Sequence, residues 1–286
     1  QMATARQDDQ HVRVSEKSLT DAVERYEQAN GFQLSDEQKQ AAKFVACDTG
    51  SFACITGQAG TGKTTVSAVW IDAMQQQGFK VIGASTAWKA AEKLEQESGI
   101  KSHSIAALLS DLRNKKVTLD EKSVVVVDEA GMVGTTHLRD LMMYVDKARA
   151  KMVCQGDALQ LQPVDAGSPF RLAIQASGDS KLTEIRRQRD AEDRATAESF
   201  YSRDSDSFEL GRKIMKRLED GKHIVRTENA KEAIANIADD YVKSEHGASE
   251  KLVIAGTRSE VSWLNQAIRE RLVARGDVSS QGQSFI

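Results

Sequence analysis

The chain has 286 residues, long enough for one large or two smaller domains. Hydrophobic residues make up 40% and aromatics 5%, which suits an α/β protein and argues against an all-β sandwich. The net charge of −3 excludes a globally basic nucleic-acid binder without excluding a basic track, and the lack of any long apolar run or secretory leader points to a cytoplasmic setting without membrane insertion.

Residues 1–17 are polar without periodicity and read as a flexible lead-in. Ser18 to Asn30 predicts a helix started by Ser18 or Thr20 and stopped by Gly31. Ser35 is the cap of a second helix with Gln38 in its first turn. Ser51 to Thr56 then reads as a buried strand, and Thr65 to Gln77 as a helix. Between them lies Gly57-Gln58-Ala59-Gly60-Thr61-Gly62-Lys63-Thr64, a complete phosphate-binding loop. Gly57 and Gly62 let the backbone curl so that its N–H groups point inward at phosphates. Lys63 is placed to reach the β- and γ-phosphates of ATP, and the Thr64 hydroxyl to ligate Mg2+. The positive end of the helix, from Thr65, faces the anion.

Strands and helices alternate from there: Lys80 to Ala84, Ala87 to Glu97, Val124 to Val127, Gly134 to Lys147, Lys151 to Cys154 and Pro169 to Ala176. That alternation predicts a parallel sheet with helices on both faces. The run Ser123 to Val127 is apolar enough for a central strand, and Asp128-Glu129 follow it. Asp128 would hold Mg2+, directly or through water, and Glu129 would polarise the attacking water. The plainer reading is that both acids cap the next helix. A third block, Gln155 to Val164, follows the strand at Lys151 to Cys154. In it Asp157 and Gln160 could sense the γ-phosphate, or the block could be an ordinary strand-to-helix loop. Cys47, Cys54 and Cys154 lack metal-ligand spacing, and the last two fall on core strands.

These three blocks, in this order, resemble motifs I, II and III of superfamily 1 helicases, within it the RecD-like group. The wording Asp128 to Val133 and Gln162 to Arg171 is most similar to the helicase part of conjugative relaxases of the TraA/TraI/TrwC type. Leu34 to Gln38 resembles the Q motif, which implies that Gln38 reads the adenine edge. Ala84 to Ala91 resembles motif Ia, which implies contacts to single-stranded DNA from Ser85, Thr86, Trp88 and Lys89; His103 lies in the neighbouring DNA-contacting segment. Trp88 is alternatively helix core, Lys89 a solvated surface charge, and His103 a turn cap. Leu182 to Gln188 resembles motif IV, with Arg187 as arginine finger. Val253 to Arg258 looks like the strand that opens a second RecA-like domain.

The resemblance covers about residues 30 to 275. It implies a RecA-like P-loop NTPase with a parallel sheet flanked by helices, plus a partial second RecA-like domain. The expected division is a lead-in and helix at 1–30, a first RecA-like domain at 31–178 and a truncated second one at 179–286. Asp111 to Lys122 stands where RecD-like helicases insert a small hairpin domain, here minimal. Motifs V and VI are missing and the chain starts at Gln1, so it reads as a fragment. The implied activity is ATP-driven movement on single-stranded DNA, 5′ to 3′, in conjugative transfer. The implied partners are a relaxase domain in the same parent chain and relaxosome or type IV secretion components. A RecD-like repair helicase and a non-motor module that binds single-stranded DNA or a secretion partner are the alternatives.

Overall fold

Val124, Val125, Val126 and Val127 are all fully buried. They form β4 (Ser123–Val127) in the middle of a sheet covered on both faces. The computed structural model describes residues 3–4, 6–160, 167–184, 195–196, 199–200 and 207–279. Its other strands are β1 (Phe52–Gly57), β2 (Lys80–Ser85), β3 (Ser102–Ser104), β5 (Lys151–Gly156) and β6 (Ser180–Leu182). The order is β3-β2-β4-β5-β1-β6 and every pairing is parallel. A parallel sheet needs both faces covered, which explains the uninterrupted apolar run. Side chains alternate: Val124 and Val126 enter one core cluster, Val125 and Val127 the other.

The first cluster lies under α1 (Glu16–Asn30), α2 (Asp36–Lys43) and α3 (Lys63–Gln76). The second lies under α5 (Ile105–Arg113), α6 (Thr135–Lys147) and α7 (Pro169–Ser177), while α4 (Trp88–Ser98) packs on β2 and β3. Ser15 accepts the Ser18 N–H and starts α1 earlier than expected, and Gly31 stops it in the left-handed conformation. Ser35 and Gln38 form a reciprocal capping box on α2. Cys54 and Cys154 are register neighbours in β1 and β5. Burial pushes the Cys54 thiol up to about 12 and that of Cys154 well above the ordinary range, so both stay protonated hydrophobes.

Three expectations change. The lead-in is a strap rather than a flexible segment. Arg6 donates to the Ala150 carbonyl at 2.7 Å, Ser51 N–H donates to the Arg6 carbonyl at 3.0 Å, and Val12 is fully buried. Backbone groups at the starts of β1 and β5 need partners, and an irregular segment supplies them without any periodicity to read. A Cβ on Gly50 would lie 2.2 Å from the Arg6 carbonyl oxygen. Second, β6 pairs with β1 beyond residue 178, so the first domain does not end there; two compact units divide after Arg203. Third, Val253 to Arg258 forms no strand. Leu252 and Ile254 are 83% and 82% exposed, and Thr257 caps helix Arg258–Arg275 through a capping box with Glu260. A strand needs a ladder partner, and none pairs with this stretch among the described residues. The described part of the second unit is helical, at Ser207–Asp220, Ala230–Lys243 and Arg258–Arg275.

Candidate functional site

The loop after β1 turns through two left-handed glycines, Gly60 (φ 85°) and Gly62 (φ 87°). Gly62 is also the N-cap of α3, and a Cβ there would sit 2.4 Å from Gln38 Nε2. Gly57 is required for close approach rather than curl: its Cβ would meet Thr61 Oγ1 at 2.6 Å. Thr61 is buried, and its hydroxyl donates to the Gln58 carbonyl at 2.9 Å, closing the loop on itself. Because α3 begins at Lys63, the residues Lys63, Thr64 and Thr65 occupy its first turn. Lys63 Nζ donates to the carbonyls of Gly57 at 2.7 Å and Gln58 at 3.0 Å.

β1, β5 and β4 are adjacent, so the segments leaving their carboxyl ends converge. A cavity of about 760 Å³ opens there. It joins Ala59, Gly60, Gly62, Lys63, Thr64 and Thr65 to Gln38, Asp128, Glu129 and Gln160. Gln58, Gly57 and Asp157 instead line a neighbouring cavity of about 510 Å³ on the β6 side. Gln38 is buried, with its Oε1 accepting the Ser35 N–H at 3.1 Å and its amide nitrogen toward Gly62. Its side-chain carbonyl therefore serves the cap while the rest of the side chain walls the cavity.

Asp128 Oδ1 accepts from Gln155 Nε2 at 3.0 Å, and Gln155 Oε1 accepts from the Ser67 hydroxyl of α3. Glu129 stands in the left-handed region (φ 53°), a conformation that costs a non-glycine residue of order 1 kcal/mol or more. Burial, reinforced by the Asp128 charge, pushes its carboxyl above the ordinary range, while Lys63 pulls the other way. The capping alternative for the acids does not hold: Glu129 makes no side-chain cap bond to the turn Ala130–Met132, and α6 is entered from Gly134. Among the described residues no cluster of three His, Cys, Asp or Glu side chains could hold a metal ion. Thr64 and Asp128 offer hard oxygen donors on one cavity, the chemistry that suits Mg2+.

Asp157 is nearly fully buried and its Oδ1 accepts the Leu159 N–H at 2.8 Å, so it shapes the loop while Gln160 reaches the cavity. Arg187 and the stretch Gln162 to Ala166 lie outside the described residues. Trp88 is 66% exposed at the first turn of α4, which removes the core reading for it. Thr86 and Lys89 are exposed beside it, and His103 is half-buried on β3, paired in register with Ala84. Ser85 does not belong to that surface. It ends β2 facing inward, fully buried, with its hydroxyl 3.5 Å from the Asp128 carbonyl oxygen.

Sequence reasoning assigned no role to Gln155. The signal was present: Gln155 directly follows the apolar run Met152-Val153-Cys154 in the same strand, and a polar side chain buried there must find partners.

A family model described as AAA domain matches residues 33–229. Conjugal transfer protein TraA of Agrobacterium fabrum is 33% identical over 254 residues, covering 88% of this chain and 22% of that protein. The ATP-dependent RecD2 DNA helicase of Deinococcus radiodurans is 31% identical over 159 residues, covering 54% of this chain and again 22% of that protein. The chain thus spans about a fifth of the length of these curated relatives. The crystal structure of Pif1 helicase from Candida albicans aligns with a TM-score of 0.43 at 22% identity, over 59% of this chain and 43% of that one. The similarity to TraA-type and RecD-like proteins expected from the motifs is borne out.

Proposed function

Because the chain belongs to the AAA domain family, we propose that it is the ATP-binding motor portion of a DNA helicase that works in conjugative transfer. The observation that carries this reading is one cavity that joins the phosphate-binding loop to Asp128, Glu129 and Gln160. In it ATP phosphates lie at the start of α3, where backbone N–H groups and the helix's positive end favour an anion. Lys63 exchanges its loop carbonyls for phosphate oxygens. Thr64 and Asp128 would hold Mg2+, which would supply neutralising charge to those oxygens. Glu129 takes the proton of the attacking water, a role helped by its raised affinity for protons. Gln160 reports the loss of the γ-phosphate, and Arg187 stabilises the transition state as arginine finger.

Single-stranded DNA would track past Thr86, Trp88, Lys89 and His103, with Trp88 as a stacking platform. We further assign the chain to the cytoplasm, alongside a relaxase domain of the same parent protein and the relaxosome or secretion components. Calorimetric titration with ATP and Mg2+ tests the core of the reading. Lys63→Ala should lose most of the affinity with little change in thermal stability, because Lys63 acts as a point charge on phosphate. Equal affinity in the variant refutes the site.

A further inference from the structure

Glu37 and Gln38 are consecutive residues in the first turn of α2, and they serve different neighbours. Gln38 walls the nucleotide cavity against Gly62. Glu37 turns to the chain that leaves β6. Its Oε1 accepts the Thr183 N–H at 2.8 Å and the Thr183 hydroxyl at 2.7 Å, and its Oε2 accepts the Glu184 N–H at 3.2 Å. Charge-assisted bonds from backbone donors are stronger than neutral ones, and they have no flexible donor chain to immobilise. The first turn of a helix also favours the carboxylate itself. Sequence separation makes the contact notable, since 146 residues part Glu37 from Thr183.

The clamped segment is also anchored through β6. Leu182 pairs with Gly57, the residue that opens the phosphate-binding loop. We propose that Glu37 is a positioning residue that ties the backbone leaving β6, at Thr183 and Glu184, to the helical turn that carries Gln38 beside the nucleotide cavity, so that one helical turn sets both. This rests on the ATP reading above. Gln38 lines the cavity beside Gly62 while Glu37 holds the 183–184 backbone. A shift of α2 on nucleotide binding is thereby passed to Thr183 and Glu184.

Amide hydrogen exchange at Thr183 and Glu184, with and without Mg-ADP, tests the coupling, with calorimetry run first on each protein. In the wild type, nucleotide should slow exchange at both amides. In Glu37→Ala baseline exchange there should rise by roughly tenfold or more, nucleotide should no longer change it, and ADP affinity should hold within about threefold. Glu37→Gln keeps an acceptor for Thr183 and loses one for Glu184, so it should free Glu184 first; it also serves if the alanine variant does not fold. Nucleotide-dependent protection that persists in both variants overturns the proposal. So does a wild type whose protection at 183–184 ignores nucleotide, since the clamp is then only structural. A wild type that binds no nucleotide in calorimetry overturns the ATP reading and the coupling with it.

Discussion

Gln155 and Asp128 come from neighbouring strands β5 and β4 and meet at 3.0 Å, amide to carboxylate. Ser67, from the helix that begins at the phosphate-binding loop, completes the line by donating to the other end of the Gln155 amide. A single buried side chain thus fixes the orientation of the acid assigned to Mg2+ relative to the loop assigned to phosphate. Partners one step behind a metal ligand commonly matter tenfold or more.

Gln155→Leu keeps the volume and removes the donor. The expected outcome is that the gain in nucleotide affinity on adding Mg2+ falls by roughly tenfold, while affinity without Mg2+ is preserved. Paired titrations of the variant and the wild type, with and without the metal, measure this. An identical metal-dependent gain in both proteins removes Gln155 from the site.

Glu129→Gln separates binding from chemistry. The amide keeps the shape and cannot take a proton, so ATP should still bind while turnover drops by about 100-fold or more. Stability should move the opposite way. The Glu129 carboxyl is pushed above its unfolded value, so the folded form gains protons first and its stability falls as pH rises through that interval. At neutral pH the carboxylate is a cost that glutamine removes. Thermal melts and steady-state ATPase on the same preparations check both halves; unchanged turnover sinks the assignment.

Trp88→Ala should weaken single-stranded DNA by about 1–3 kcal/mol, the range for one lost base stack. Its 66% exposure means that folding should not suffer. Binding should fall steeply with salt in both proteins, because phosphate contacts release counterions. Fluorescence anisotropy at several salt concentrations reads both effects, and equal affinities would mean that the ring faces water without a ligand.

The sequence was most legible where chemistry and geometry demand the same residues. Gly60 to Thr64 could be read because left-handed turns and phosphate contacts leave few substitutes. The valine run of β4 was read as a strand buried on both faces for the same reason. The strap at 6–14 was missed because its bonds come from backbone groups and long polar side chains, which leave no period. β3 and β6 were missed because each has three residues, too few to show alternation. Ser85 was misplaced because motif wording does not say which way the last residue of a strand faces; by the alternation of β2, Ser85 shares the face of Val81, opposite to that of Ala84. Gln155 and Glu37 acquire meaning only from partners 27 and 146 residues away.

Lys151 gives a prediction independent of nucleotide. It is fully buried at the start of β5, and its Nζ donates to the Thr49 carbonyl at 2.6 Å and to the Thr49 hydroxyl at 3.3 Å. Burial, with the Arg13 charge from the strap adding to it, lowers the amine from 10.5 to about 7, while Cys47 opposes weakly. Below pH 7 the folded and unfolded chains are both protonated there, and the fold carries the full cost of the buried charge. Between about 7 and 10.5 the unfolded chain keeps a proton that the folded chain has released. Stability must therefore rise with pH across that window, by up to about 1.4 kcal/mol per pH unit from this one group. Lys151→Met removes the charge and strands the Thr49 carbonyl, a cost that does not depend on pH. The signature is thus the slope rather than the level: the variant should lack the rise that the wild type shows. Urea midpoints at pH 6, 8 and 9.5 for both proteins measure it, and parallel pH profiles would show that Lys151 keeps an ordinary affinity for its proton.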